Sequence, residues 1–441
     1  MEFIRNWFKD AFLVCCHELK KIFGDSGVMI IIAVAGLGYP LLYNCIYHNG
    51  ILEETPIAVV DDSDCEASRR FIRKVDATRE LCVMCKCATM EEAESLMKSR
   101  KVNGVMYFPH DFGERIAGGK TAILSIYADM SSFLYYKNLL LGTNFVMLDD
   151  MKHIQVERYS AGGMSDQQVS QLITAIPYEE NNPYNRTFSY TIFFLSAALI
   201  LIIQQVMFYG MCMRVGTARE EGRNFTRLLN RMSGPGVGRV VLGRGAAYWL
   251  LFMAIGIYIA CLVPAIFQLP QRGNFFEILV LLMFYVTDCV FFSTTCSSFF
   301  TRRETVMVLL LFISPIALFL TGFSWPVTAF PAFWKYFSYL FPSTFACQAF
   351  INMNTAGGDL LTVHNLMVCL VVQTSVYCLT SFIAAYVEYR RVYNEPEPMA
   401  AWVEKWRPRI QELEEKRKQL EEKRRQQFQD LLKRVEDNVR K

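Results

Sequence analysis

The sequence predicts an α-helical integral membrane protein with six transmembrane helices, an inserted extracytoplasmic α/β domain and a charged C-terminal cytoplasmic helix. Three observations carry this. Hydrophobic residues are 53% of the 441 and the mean hydropathy is +0.21, too apolar for an ordinary soluble protein, while 20% of residues are charged, too many for membrane throughout. The apolar residues gather into six runs long enough for a bilayer core of about 30 Å. Lys and Arg flank those runs mainly on one side, the short loops on the opposite side holding only Arg272 and Lys335.

The runs lie near Val28–Tyr47, Phe188–Met213, Ala246–Phe267, Phe275–Phe300, Val306–Phe323 and Leu366–Val387. Residues 1–25 read as a cytoplasmic amphipathic helix. The first run, within 26–48, is an anchor rather than a cleaved signal, because it carries Pro40 and no small-residue cleavage pattern follows. Lys20 and Lys21 precede it, seven arginines from Arg214 to Arg244 lie between the second and third runs, Arg302 and Arg303 follow the fourth, and Arg390 and Arg391 follow the sixth. Short basic loops stay in the cytoplasm, so both termini are cytoplasmic and residues 49–187 lie outside. The net charge of +3 gives no indication of a nucleic-acid partner.

In the outside segment, Pro56–Asp62, Leu81–Cys87, Gly104–Pro109 and Ile123–Ala128 read as strands, and Ser68–Val75 and Met90–Arg100 as helices, an alternation typical of a small α/β domain. Ser132–Tyr159 has the character of a long helix. Gly113–Thr121 superficially suggests a phosphate-binding loop but its glycine spacing is wrong, and a turn before a strand is the better reading. Ten of the 14 cysteines sit in or beside apolar runs, as small hydrophobes do. Cys65, Cys82, Cys85 and Cys87 are open to packing, disulfide or metal roles, and strand alternation places Cys82 opposite Cys85 and Cys87.

Residues 188–390 contain the remaining spans, a cytoplasmic coupling loop at 214–244 and a re-entrant segment at 322–350. In the loop, Arg219, Arg223 and Arg227 form a basic stripe that suits anionic headgroups or a partner's groove. In the second segment, Gly322, Pro326, Pro331 and Pro342 interrupt helix beside Trp325 and Trp334, as expected of broken helices at a membrane interface. Phe323, Phe330 and Phe333 would then form an apolar seal. Residues 391–441 form a charged tail whose Glu and Lys/Arg spacing suits a solvated cytoplasmic helix, with a weak coiled coil as the second reading.

The run from Thr321 to Thr344, with its Gly-Phe-Ser-Trp-Pro, Trp334 and Pro342-Ser-Thr, resembles the type-2 class of ABC exporter permeases, specifically the subfamily with a large domain between spans one and two. Ile57-Ala-Val-Val-Asp-Asp, Ser68-Arg69 and Gly104–Phe112 resemble that domain's usual segments. The resemblance covers residues 15–390. It implies an ATPase-coupling segment at Glu220, Glu221, Gly222, Arg223, Phe225 and Leu228, with Arg223 where Thr is usual, and an outer gate at Gly322, Phe323, Trp325, Pro326, Pro331, Trp334, Pro342 and Thr344. It also implies a permease subunit that exports substrate across the bacterial cytoplasmic membrane and is itself no enzyme. Its expected partners are an ABC ATPase subunit that binds ATP and Mg, a second permease copy, alike or different, a membrane-fusion adaptor, and lipid.

No cofactor or metal site is expected in the chain itself. His17, His48, His110, His153 and His364 form no metal or acid/base constellation in the sequence, so no catalytic residue is assigned. The competing function is a sensor or scaffold whose outer domain binds a partner without transport. Gln204, Gln205, Asp288, Gln373 and Thr374 within the spans weigh against it, because polar groups in lipid are costly and face a bundle interior or a path.

Overall fold

The computed structural model describes residues 2–48, 50–173, 184–185, 189, 191–220 and 236–394. The chain divides into two compact units, one formed by residues 1–42 and 196–441 and the other by Tyr43–Leu195.

The first unit is a helical bundle. Its helices are α1 (Glu2–Gly24), the start of α2 (Ser26–Ile46), α8 (Ser196–Glu220), α9 (Val237–Ile266), α10 (Phe275–Ser297), α11 (Arg303–Leu320), α12 (Ala332–Ser338), α13 (Pro342–Asn354) and α14 (His364–Asn394); the helices between α2 and α8, namely α3 (Glu66–Asp76), α4 (Met90–Lys98), α5 (Phe112–Ala117), α6 (Phe133–Ala161) and α7 (Asp166–Ile173), belong to the second unit. Among the described residues, α2, α8, α9, α10 and α14 are each long and apolar enough to cross a membrane. The helix at α11 bends by 44° between Arg303–Leu309 and Phe312–Leu320, and counting that pair as one span raises the number to six. The bend falls where the ring of Pro315 meets the carbonyl of residue 311, the usual cause of a kink.

Proline also explains two π-helical stretches. Ile31–Gly38 ends two residues before Pro40, and Tyr258–Leu262 ends two residues before Pro264. Pro264 cannot donate to the carbonyl of Ala260, and the side-chain amide of Gln271 replaces it, donating at 3.2 Å to that oxygen and at 3.3 Å to Cys261. α8 runs through the centre of the bundle and is buried along nearly its whole length. α14, at the periphery, buries Leu370, Gln373, Ser381 and Ala385 and exposes Val368, Val372, Leu379 and Ile383. An apolar stripe of that length suits lipid and would be a liability in water.

The second unit is an α/β domain. Its strands β1 (Thr55–Asp61), β2 (Leu81–Cys87), β3 (Gly104–Phe108) and β4 (Ser125–Ala128) form one sheet in the order β2-β1-β3-β4, with β1 parallel to both neighbours and β4 antiparallel to β3. One sheet face packs Ile57, Val59, Leu81, Met106 and Phe108 against Phe71, Ile72 and Val75 of α3 (Glu66–Asp76) and Leu139 and Val146 of α6 (Phe133–Ala161). The other packs Ala58, Val60, Cys87 and Val105 against Ala93 of α4 (Met90–Lys98). Lys74 Nζ holds α3 to α6 through Asp149 and Asp150, each at 2.7 Å. The chain segments leading into and out of the unit are tied together, with Thr191 Oγ1 donating to the Tyr47 carbonyl at 2.6 Å and Ser189 Oγ to that of Gly50 at 3.1 Å.

The suggested phosphate loop has the opposite polarity from a real one. A helix, α5 (Phe112–Ala117), comes first, and Gly119 at φ +73° ends it, whereas a phosphate loop precedes its helix.

The cysteines correct one expectation. Strand β2 pairs Cys82 with Pro56 and Val83 with Ile57, but then Cys85 with Ala58 and Cys87 with Val60, so Met84 is an extra residue. This bulge shifts the alternation by one and puts Cys82 on the same sheet face as Cys85 and Cys87, not the opposite one. The thiols are free, with Cys85 and Cys87 sulfurs 4.0 Å apart, too far for a disulfide. Among the described residues no group of three His, Cys, Asp or Glu could hold a metal.

Burial and the neighbouring Cys85 push the Cys87 thiol up to about 11. Cys65 differs. Burial pushes its thiol up, but hydrogen bonds from Ser63 Oγ at 3.5 Å and the Ser68 amide at 3.3 Å outweigh this and hold it below the usual thiol range. At mildly alkaline pH an alkylating reagent modifies Cys65 well ahead of Cys87 in the folded protein, read by peptide mass spectrometry. Equal rates would show that neither environment controls the thiolate.

Candidate functional site

Two regions collect the residues singled out in the sequence. The first is the proline-rich segment after α11. Gly322 turns the chain at φ +86°, and a Cβ there would lie 2.4 Å from Val327 Cγ2, so glycine is required on both counts. Pro326 leads into a short 3₁₀ turn at Val327–Ala329, Pro331 stands before α12, and Pro342 opens α13 at a first-turn position where its missing N–H costs nothing.

Breaks of this kind free backbone groups that lipid cannot satisfy. Here side chains satisfy them. Thr344 Oγ1, the last residue of the Pro-Ser-Thr run, lies 2.7 Å from the Ser338 carbonyl and 3.4 Å from that of Leu320. Gln348 Nε2 donates to Thr321, Gln373 Nε2 to Tyr339 at 3.0 Å and the Tyr377 hydroxyl to Leu340 at 2.5 Å. The first free amide of α13, Ser343, donates to Gln204 Oε1 of α8 at 2.7 Å. The in-span Gln204 and Gln373 therefore serve as backbone partners for the broken segment.

Phe323 is buried and Phe330 half-buried, whereas Phe333 is exposed and stacks on Phe337 at 6.1 Å. Trp325 and Trp334 are exposed, as interface anchors would be.

The second region is the opposite end of α8. Arg214, Arg219, Arg239 and Arg244, read in the sequence as loop residues, lie on helices, because α8 continues to Glu220 and α9 starts at Val237. Arg219 pairs with Glu388 of α14 at 3.0 Å and donates to the carbonyls of Ser297, Ser298 and Phe300 at the end of α10. Glu220 Oε1 accepts from the Arg303 amide of α11 at 2.8 Å. Glu221, Gly222, Arg223, Phe225 and Leu228 lie outside the described residues, as does the charged tail from residue 395 onward, while residues 391–394 continue α14.

Where the chain resumes, α1 is fastened to it. Arg239 Nη1 donates to Asp10 Oδ2 at 2.6 Å with both side chains buried, and Arg244 pairs with Glu18 at 3.8 Å. Gly243 permits the close approach, since a Cβ there would meet the Ala11 carbonyl at 2.5 Å. Asp25 caps α2 by accepting from the Gly27 amide at 3.1 Å and also pairs with Arg303 at 3.7 Å. Sequence reasoning missed these pairs. Their only local signal is a carboxylate on an otherwise amphipathic N-terminal helix, and the partner lies 229 residues away. A cavity of about 20 Å³ lies at this end, lined by Arg244, Thr294, Ser297 and Glu388 among others.

A bundle of lipid-suited helices with a proline-broken segment is the architecture of a multi-pass helical membrane protein. Residues 26–383 match the family described as ABC-2 family transporter protein, and the chain belongs to that family. It is therefore a multi-pass membrane permease of an ABC transporter, a class that works with an ATP-binding partner and is itself generally non-catalytic. No curated protein matches the chain.

Proposed function

We propose that the chain is the permease half of an exporter, moving substrate outward across a bacterial cytoplasmic membrane with ATP and Mg bound by a separate subunit. Two permease copies work on two ATPase subunits, and a membrane-fusion adaptor is a further partner. Glu220, Glu221, Gly222, Arg223, Phe225 and Leu228 meet the ATPase, and the segment from Gly322 to Thr344 forms the outer gate.

The observation that carries this reading is the way both edges of residues 221–235 are fastened. Arg219 and Glu220 tie one edge to α10, α11 and α14, and Arg239 ties the other to α1. A push delivered to a segment held this way reaches four helices rather than dissipating in a loop. The basic flanks support a cytoplasmic position for that segment and for both termini, with residues 49–187 outside.

Single-cysteine variants at Phe225 and Gly113, on a background cleared of accessible thiols, test the orientation. In intact cells a membrane-impermeant thiol reagent labels position 113 and spares 225 until the cells are opened. Labelling at 225 with none at 113 would invert the topology and remove the proposed coupling segment from reach of ATP.

A further inference from the structure

Asp288 of α10 is fully buried, and neither carboxylate oxygen has a hydrogen-bond partner among the described residues. It has no part in the coupling or gate assignments. Its level in the bundle follows from the packing of α10 on α14. Thr295 meets Thr380 at 2.9 Å, and the Phe292 ring meets that of Tyr377 at 5.3 Å. Both pairs have the same sequence offset, so the helices run parallel, and stepping back seven residues from Thr295 and Thr380 brings Asp288 level with Gln373.

Gln373 Oε1 is also buried without a partner. Its amide cannot turn round to donate to Asp288, because Nε2 is held by the Tyr339 carbonyl, which only accepts. Two neighbouring helices thus present acceptors, Asp288 and Gln373 Oε1, at one level.

The surroundings supply no counter-charge there. The titratable groups that interact with Asp288 are Cys289 on its own helix and Tyr377 on α14. On α10's neighbours, Arg219 of α8, Arg244 of α9 and Glu388 of α14 lie at the Ser297 end, about 13 Å further along the helix. Arg214 and Arg239 belong to that same end of α8 and α9, His364 begins α14, and α13 has no charged residue. A metal ion would need about six oxygen ligands, and no qualifying group of three ligating side chains exists among the described residues.

We propose that Asp288 is a proton-binding site of the membrane-spanning bundle, a neutral carboxylic acid whose O–H donates to Gln373 Oε1 and so bridges α10 and α14. A proton is the ligand that converts one of two facing acceptors into a donor, and an uncharged acid removes the cost of a bare carboxylate in an apolar interior. The site is independent of the direction of transport.

The test uses the full-length protein in lipid nanodiscs at neutral pH. The infrared difference between wild type and Asp288→Asn shows the carbonyl band of a protonated carboxylic acid, and Gln373→Leu moves that band to the higher frequency of an acid with no hydrogen-bond acceptor. Dicyclohexylcarbodiimide, which attacks protonated carboxyls in apolar surroundings, modifies the Asp288 peptide of wild type, so the question is decided even if the Asn variant does not fold. Ionised carboxylate bands, or an unmodified Asp288 peptide, would overturn the site. A band that stays in place in Gln373→Leu would overturn the bridge.

Discussion

Asp10→Ala lowers the unfolding free energy of the protein by about 3–5 kcal/mol, because it takes from the buried guanidinium of Arg239 the carboxylate that pairs with it. Both side chains are buried and the bond between them is 2.6 Å, so the pair has none of the solvent screening that makes surface ion pairs nearly worthless. The effect has a second signature. Replacing both partners, in Asp10→Leu with Arg239→Leu, recovers most of the loss, since no uncompensated charge remains. Denaturant unfolding in detergent, followed by tryptophan fluorescence, measures both. A single variant within about 0.5 kcal/mol of wild type would mean that water reaches the pair and that α1 is not fastened through it.

The second large effect falls on the proline-rich segment. Thr344→Val keeps the shape of the side chain and removes one of the two hydrogen bonds to the Ser338 carbonyl, which the Phe341 amide also serves at 3.0 Å, at a cost of about 0.5–1.5 kcal/mol. Gly322→Val forces a branched residue into a left-handed conformation and drives its Cβ into Val327, so its cost is at least the roughly 1–2 kcal/mol of the backbone alone. Both variants should insert normally, because the spans are intact, yet lose stability and expose the segment to added protease. If neither changes protease sensitivity, the side-chain partners in this segment are dispensable and its carbonyls are satisfied by water.

The parts of this architecture that were legible in the sequence are those set by local chemistry. Runs of apolar residues announced the spans, β-branched alternation announced the strands, and Gly322 with its prolines announced a broken segment. What was not legible depends on partners distant in the chain or on a single inserted residue. The bulge at Met84 reverses the faces of everything beyond it in β2, and no residue type there signals it. Arg239 and Arg244 read as loop cations because their partners Asp10 and Glu18 belong to the opposite end of the sequence. The role of Gln204 was half visible. A polar residue in a span implied an interior position, but that it receives the Ser343 amide emerges only from packing. The coupling residues from Glu221 to Leu228 rest on the resemblance and on the fastening of their flanks.

Transmission of ATP hydrolysis to export through this flanked segment is the central step of the proposed function. The direct measurement compares wild type with the Glu221→Ala, Phe225→Ala double variant, reconstituted with its ATPase subunit, recording ATP hydrolysis and substrate efflux in the same vesicles. The account predicts that the variant inserts and assembles, that hydrolysis persists, and that efflux falls at least tenfold. Efflux at the wild-type rate in the double variant would contradict it, and the contact with the ATPase would have to lie on another surface of the chain.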